Sequence, residues 1–411
     1  MKADLDRLMD QYNFDALVVL GDESPNPVRD YLSNRAKAAG QIFKKRGETP
    51  VYVVGGMEID EAAKSGLTVK TYFDFEWASL VSKLGEKPDE LRREMFFSFF
   101  RKLEIKGRVA FYGIADVNTA ARNLIDLQNS DLGIEVVLGG DASRLLSQAY
   151  ETKDDQELAA LKDTARRACE VVRRTWDFIA GHRATGREVG STLVNEAGET
   201  LTIGGVKRFI RIQEADLNLD NPDGPIFAQG RDAGVPHSHG EDQEALQLGK
   251  TIVFDYFPRG ADNGYFHDMT RTWCLGFAPE KEQHGYDQVF EIFKLSCDAI
   301  KVGEPYSRYQ LMTLDFFEDL GRKTQRSHPG TLEGYVHSLG HGIGLNVHEA
   351  PGINERSKSV VQAGNVITIE PGLYYPDQGW GVRVEDAVYV DQQGNLQKLT
   401  DFPYDFILPV K

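Results

Sequence analysis

Cysteine is scarce. Cys169, Cys274 and Cys297 are the only three in 411 residues. Their odd number and lack of C-x2-C spacing exclude a disulfide framework and a thiolate zinc site, and leave small buried hydrophobes in a reduced protein. Long apolar runs are missing too. Segments such as 16–20 and the broken 95–100 fall far short of the ~20 residues a membrane helix needs. The opening Met1-Lys2-Ala3-Asp4-Leu5-Asp6 has no secretory apolar stretch. A cytoplasmic protein without a membrane partner is expected. Positive charge is in deficit, with 47 Lys and Arg against 63 Asp and Glu and a formal charge of −16. No nucleic-acid partner is expected, because phosphate contacts need clustered basic side chains. Internal repeats and low-complexity tracts are absent.

What is present is an ordinary globular composition, 41% hydrophobic and 27% charged. The chain exceeds the ~250–300 residues at which one core stops growing, so two domains are expected. In residues 1–150, short apolar or β-branched runs (Ala16–Gly21, Pro50–Gly55, Val69–Phe75, Arg108–Gly113, Ile134–Gly139) alternate with helical patterns such as Val28–Arg46 and Glu86–Leu103. That alternation predicts an α/β domain. A long amphipathic helix is expected over Glu151–Ile179, with Leu158, Leu161, Ala165, Ala168, Val171 and Val172 as its buried stripe and a linker at its charged start. Residues 155–411 read as α+β with an antiparallel sheet. The expected strands are Lys207–Glu214, Thr251–Phe257, Tyr265–Leu275, Val366–Tyr374 and Val382–Val390. The expected helices are Glu188–Leu201, Glu280–Lys301 and Ser307–Thr324.

Chemistry concentrates in this second half. Asp255 closes the apolar run Thr251-Ile252-Val253-Phe254, and Asp268 lies in the next strand beyond a Gly-containing loop that suits a hairpin. Alternation allows both carboxylates to share a face. One such Asp is usually a strand-end or turn residue, but a buried pair must be neutralised by protons or cations. Three of the nine histidines, His337, His341 and His348, fall within twelve residues, and glycines flank His341 as if the backbone there approached something closely. Glu370 and Glu385 each interrupt an apolar strand. Arg383 lies two before Glu385, which equally suits an ordinary ion pair. Four carboxylates and one imidazole on one sheet domain suit one or two divalent cations such as Mn²⁺, Co²⁺, Fe²⁺ or Zn²⁺.

The motifs Asp255…Asp268-Met269-Thr270-Arg271-Thr272, Gly340-His341-Gly342-Ile343-Gly344-Leu345…His348-Glu349, Glu370-Pro371-Gly372 and Arg383-Val384-Glu385-Asp386 resemble, in order, those of the pita-bread metallopeptidases. That family includes methionine aminopeptidase, aminopeptidase P, prolidase and the metal-free creatinases. The resemblance spans roughly residues 155–405. It implies a pita-bread catalytic domain preceded by a smaller creatinase-like α/β domain.

The resemblance also implies two metal ions, with Mn²⁺ expected first and Co²⁺, Zn²⁺ or Fe²⁺ as alternatives. Asp255, His341 and Glu370 would each bind one ion, and Asp268 and Glu385 would bridge both. Glu370 would serve as general base, His348 would stabilise the oxyanion, His237 and Arg383 would orient the substrate, and His337 and His348 would also contact it. His239 is the alternative to His237 within Pro236-His237-Ser238-His239.

The preceding domain, His337 and Arg383 resemble the proline-specific branch. They imply hydrolysis of the bond before a proline at the second position of a peptide. An Xaa-Pro aminopeptidase is expected first and an Xaa-Pro dipeptidase second, as a homodimer. A catalytically silent peptide-binding module and a metal-dependent lyase are further alternatives. The sequence departs from the family at Tyr256-Phe257-Pro258-Arg259, where a small Gly-containing segment is common, and at His267. The loop to Asp268 is about two residues longer. Pro258 and Arg259 are expected to form a rigid turn at the rim of the site.

Overall fold

The early alternation of strands and helices builds one mixed sheet. The computed structural model of the protein describes residues 4–21 and 26–411. By contact density the chain divides into two units, Met1–Ala149 and Tyr150–Lys411. In the first unit six strands lie in the order Thr68–Thr71, Val51–Val54, Gly40–Lys45, Ala16–Leu20, Gly107–Gly113, Ile134–Val137. Ala16–Leu20 is apolar throughout and buried at every position, as a central strand covered on both faces must be. It runs antiparallel to Gly40–Lys45 and parallel to Gly107–Gly113. The Pro88–Lys102 helix sets Met95, Phe96, Phe99 and Phe100 into this core.

The helix expected over Val28–Arg46 is a correction. It stops at Leu32, and Gly40–Lys45 is a strand. Asn34 and Arg35 take left-handed conformations that end the helix, and Ile42-Phe43 then finds a partner on each side.

The second unit opens with the Asp155–Ala180 helix. Asp154 caps it, accepting from the Gln156 and Glu157 amides, while the Glu157 carboxylate accepts from the Asp154 N–H. Leu161, Ala165, Ala168, Val171 and Val172 form its buried stripe. Two expectations nearby are reversed. Lys207–Glu214 is not a strand but part of the Ile203–Asp216 helix, whose Val206 and Ile210 fall at helical spacing behind a Thr202 cap. Glu188–Leu201 is not a helix: left-handed Gly190 and Gly198 bracket the short Leu193–Val194 strand.

The strands of the second unit form two main sheets. One runs Ile226–Gln229, Thr251–Tyr256, Met269–Leu275, Ile407–Leu408. The other runs Glu349–Ile353, Gly340–Gly342, Val366–Ile369, Asp386–Val390, Leu396–Lys398. The long helices over Asp155–Ala180 and Ile203–Asp216 share a core with the first sheet. The helices over Glu280–Ala299 and Ser307–Asp319 share a core with the second. Both long C-terminal strands expected from sequence are broken in two. Val366–Ile369 is separated from Gly372–Tyr375 at Glu370-Pro371, where proline offers no N–H to the ladder. Trp380–Arg383 is separated from Asp386–Val390 at Val384-Glu385. These interruptions put Glu370 and Glu385 where strands end.

Candidate metal centre

The antiparallel pairing of Thr251–Tyr256 with Met269–Leu275 sets Asp255 opposite Thr270. Asp268 precedes Thr270 by two residues, so both aspartates face one side of the sheet. The Thr270 N–H donates to Glu385 O at 3.3 Å and the Glu385 N–H to Thr270 O at 3.1 Å. This two-bond bridge brings the second sheet against the first and lays the Glu385 carboxylate beside the aspartates. The Thr270 hydroxyl holds Glu385 Oε2 at 2.7 Å. His341 lies at the centre of Gly340–Gly342. Its Nε2 is 3.6 Å from Asp268 Oδ2 and 3.5 Å from Glu370 Oε1.

The glycines beside His341 serve the sheet. A Cβ on Gly340 would stand 2.0 Å from Thr368 O, and one on Gly342 would stand 2.2 Å from Ala350 O. What the backbone approaches closely is its neighbouring strands. Gly340→Ala must push backbone aside and is expected to cost about 3 kcal/mol. Urea unfolding of the variant would check this; a midpoint equal to wild type would contradict it.

Asp268 and Glu385 are buried, and with Asp255 and Glu370 they crowd negative charge into one place. Burial, then the charges of Glu385, Asp255 and Glu370, hold the Asp268 carboxyl well above the usual carboxylate range. Burial, then Glu370 and Asp255, does the same for Glu385. Burial pushes Glu370 up to about 8. The imidazoles move the other way: burial lowers His341 and His337 to about 4 each. His341 Nδ1 lies 3.0 Å from Gly342 O, which places its hydrogen on Nδ1 and leaves the Nε2 lone pair aimed at the carboxylates.

Three carboxylate oxygens here, Asp255 Oδ1, Asp268 Oδ1 and Glu385 Oε1, are buried without a hydrogen-bond partner among the described residues. Ligand atoms of Asp268, His341 and Glu385 lie within 4.8 Å of one another. Orphaned anionic oxygens beside a neutral imidazole are what divalent cations would satisfy, so the residues fit such ions.

All five donors line one cavity of about 520 Å³, which His237, His239, His337, His348 and Arg383 also line. His237, His239 and His348 are exposed at its mouth. Phe257, Ile226 and Val347 supply apolar wall. The ion pair foreseen between Arg383 and Glu385 is replaced by another. The Arg383 guanidinium is 2.6 Å from Asp255 Oδ2, and it also donates to Tyr374 Oη (2.8 Å), Thr270 Oγ1 (3.0 Å) and Pro236 O (3.3 Å). His337 Nδ1 faces Ser338 O at 2.7 Å and its Nε2 faces Tyr374 Oη at 2.8 Å. Tyr374 and Thr270 are thus organising residues that sequence reasoning did not single out. The available signal was parity: each stands an even number of residues from a donor, Thr270 two after Asp268 and Tyr374 four after Glu370. Arg259 turns away from the expected rim position and pairs with Asp220, and it is Phe257 from that segment that lines the cavity.

Comparison with known proteins places this geometry. An Xaa-Pro dipeptidase of Pyrococcus furiosus is 33% identical over 213 residues, covering 50% of this chain and 57% of that protein. The chain therefore aligns with little more than half the length of that relative. Among solved structures, an Xaa-Pro dipeptidase from Bacillus anthracis superposes with a TM-score of 0.74 at 21% identity, over 99% of both chains. An X-Pro aminopeptidase from Thermotoga maritima gives 0.72 at 19% identity, over 98% of this chain and 99% of the other. These two likenesses establish the pita-bread fold. The sequence profile of metallopeptidase family M24 matches residues 159–392, a span that is more than half the chain and contains all five donors. The chain accordingly belongs to metallopeptidase family M24.

Proposed function

We propose that this chain hydrolyses the Xaa–Pro bond of short peptides, with two divalent cations held by Asp255, Asp268, His341, Glu370 and Glu385. One observation carries the reading: buried carboxylate oxygens without partners converge with a neutral imidazole on the floor of a peptide-sized cavity. The dipeptidase reading now stands ahead of the aminopeptidase expected from sequence, since the P. furiosus relative is named an Xaa-Pro dipeptidase. The aminopeptidase reading is retained for a specific reason. The guanidinium of Arg383 is held by Asp255, Tyr374, Thr270 and Pro236, so it is already committed when a dipeptide carboxylate arrives.

When bound, the cations supply Lewis-acid polarisation of the scissile carbonyl and a water acidic enough to ionise near neutral pH. The protein supplies the rest. Glu370 takes the proton of the attacking water on a carboxylate oxygen and returns it to the proline nitrogen as the C–N bond breaks. His348, beside the His341 ring at a centroid separation of 4.3 Å, donates an N–H to the carbonyl oxygen as it gains charge. Arg383 fixes Asp255, and His237 contacts the peptide at the mouth. Phe257, Ile226 and Val347 receive apolar parts of the peptide and exclude water. Mn²⁺ is the proposed ion, and two copies of the chain are proposed to assemble in the cytoplasm.

The test is to strip the protein of metal, restore Mn²⁺, Co²⁺, Zn²⁺ or Fe²⁺, and compare Ala-Pro with Ala-Pro-Ala. The dipeptide is expected to show a kcat/KM at least ~10-fold higher, about 1.4 kcal/mol of discrimination. A reversed ratio makes the chain an aminopeptidase. Binding of either peptide without cleavage under any of the four ions would sink the hydrolase reading.

A further inference from the structure

The residue after the exposed His348 belongs to a buried ion pair that the reaction above does not use. Lys153 Nζ is 2.7 Å from Glu349 Oε2, and the two side chains are 3% and 2% exposed. Both ends are tied to backbone. Lys153 Nζ donates to Tyr150 O at 2.5 Å, and the Lys153 N–H donates to Gly364 O at 2.8 Å. The second oxygen of Glu349 accepts from the Asn346 N–H at 3.0 Å and from Asn346 Nδ2 at 3.2 Å, closing the 346–349 turn on itself. Gly344 packs directly on the pair: a Cβ there would stand 2.4 Å from Glu349 Oε2 and 2.8 Å from Lys153 Cε. The Gly344 carbonyl in turn accepts from the Phe266 N–H at 2.8 Å, two residues before Asp268.

A buried ion pair is poor value as a stabiliser, because the desolvation of two charges offsets most of their attraction and apolar replacements of similar size often do as well. What this pair does well is hold direction. Glu349 follows His348 immediately, so the clamp sets the backbone from which the His348 imidazole reaches over the cavity.

We propose that Lys153 is a positioning residue for His348, acting through Glu349 and the 344–349 turn. The proposal rests on the reading of His348 as a donor to the substrate carbonyl, and its test separates the two. The variants are Lys153→Met and the charge-balanced Lys153→Met/Glu349→Gln. In the latter the amide can still accept from Asn346, and no lone charge remains buried. Each is made in the wild-type and the His348→Ala backgrounds and assayed as the full Mn²⁺-loaded chain on Ala-Pro. The double variant is expected to recover the melting temperature that Lys153→Met loses. It should still turn over ~10–100-fold more slowly, with KM within ~3-fold of wild type. In the His348→Ala background the same change should cost less than ~2-fold.

A second readout needs no activity. In metal-free protein labelled with ¹⁵N-histidine, the His348 imidazole resonances should move in the double variant while those of His337 stay. Equal losses in both backgrounds, recovery of turnover together with melting temperature, or an unmoved His348 signal would each overturn the proposal. If wild type cleaves no Xaa-Pro peptide, the proposed function fails and the histidine spectrum still decides the role of Lys153.

Discussion

Asp268→Asn is expected to lower Ala-Pro turnover below one-thousandth of wild type, a loss of more than ~4 kcal/mol of transition-state stabilisation. The same change should raise the melting temperature of the metal-free protein. Both effects have one origin. Asp268 is buried at the centre of the carboxylate cluster, where Glu385, Asp255 and Glu370 all oppose its ionisation. An amide of the same shape removes one of the crowded carboxylates, which relieves the apoprotein, and removes an anionic donor that would hold the cations. Metal content by mass spectrometry should fall with activity, while circular dichroism stays that of wild type. Wild-type turnover at saturating Mn²⁺ would show that Asp268 does not have the role proposed for it.

Metal removal should abolish activity and expose a dependence of stability on pH that the loaded protein lacks. In the metal-free fold Glu370 titrates at about 8 rather than 4.5, and Asp268 and Glu385 shift in the same direction, burial being the main cause in each. A group whose pKa is raised by folding contributes stability that is complete below its unfolded value and is lost as pH rises through its folded one. His341 and His337, lowered from 6.5 to about 4, act in reverse: their contribution is present above 6.5 and lost as pH falls through 4. Between about pH 6.5 and 8.5 the carboxylates therefore act alone. Chelated protein should gain about 5 °C in melting temperature as pH is lowered across that window. Protein saturated with Mn²⁺ should show no such gain, because cations rather than protons then balance the carboxylates. Calorimetry across the window settles the matter; a chelated protein whose melting temperature is flat or falls toward pH 6.5 would contradict the assignment.

The proposed donors were more legible than the fold around them. Asp255, Asp268, His341, Glu370 and Glu385 could be proposed because ionisable groups inside apolar runs are costly without partners, and because their motifs follow the order of the pita-bread metallopeptidases they resemble. Lys207–Glu214 was misread because β-branched and aromatic residues favour a strand locally, whereas the tertiary core selected helical spacing at Val206 and Ile210. Val28–Arg46 was misread because its helical start gives no notice of the left-handed Asn34 and Arg35, and only the neighbouring strands reveal Gly40–Lys45 as their partner.

By itself the sequence singled out the side chains proposed to carry the chemistry, since the expense of buried charge is a local property and the order of the motifs resembles that of a known family. Only the tertiary structure decided their partners. Arg383 belongs to Asp255 rather than Glu385, Tyr374 stands between His337 and Arg383, Lys153 reaches Glu349 across 196 positions, and the glycines beside His341 admit neighbouring strands. Each is set by which backbones pack together, and contacts between residues far apart in the chain leave no periodic trace along it.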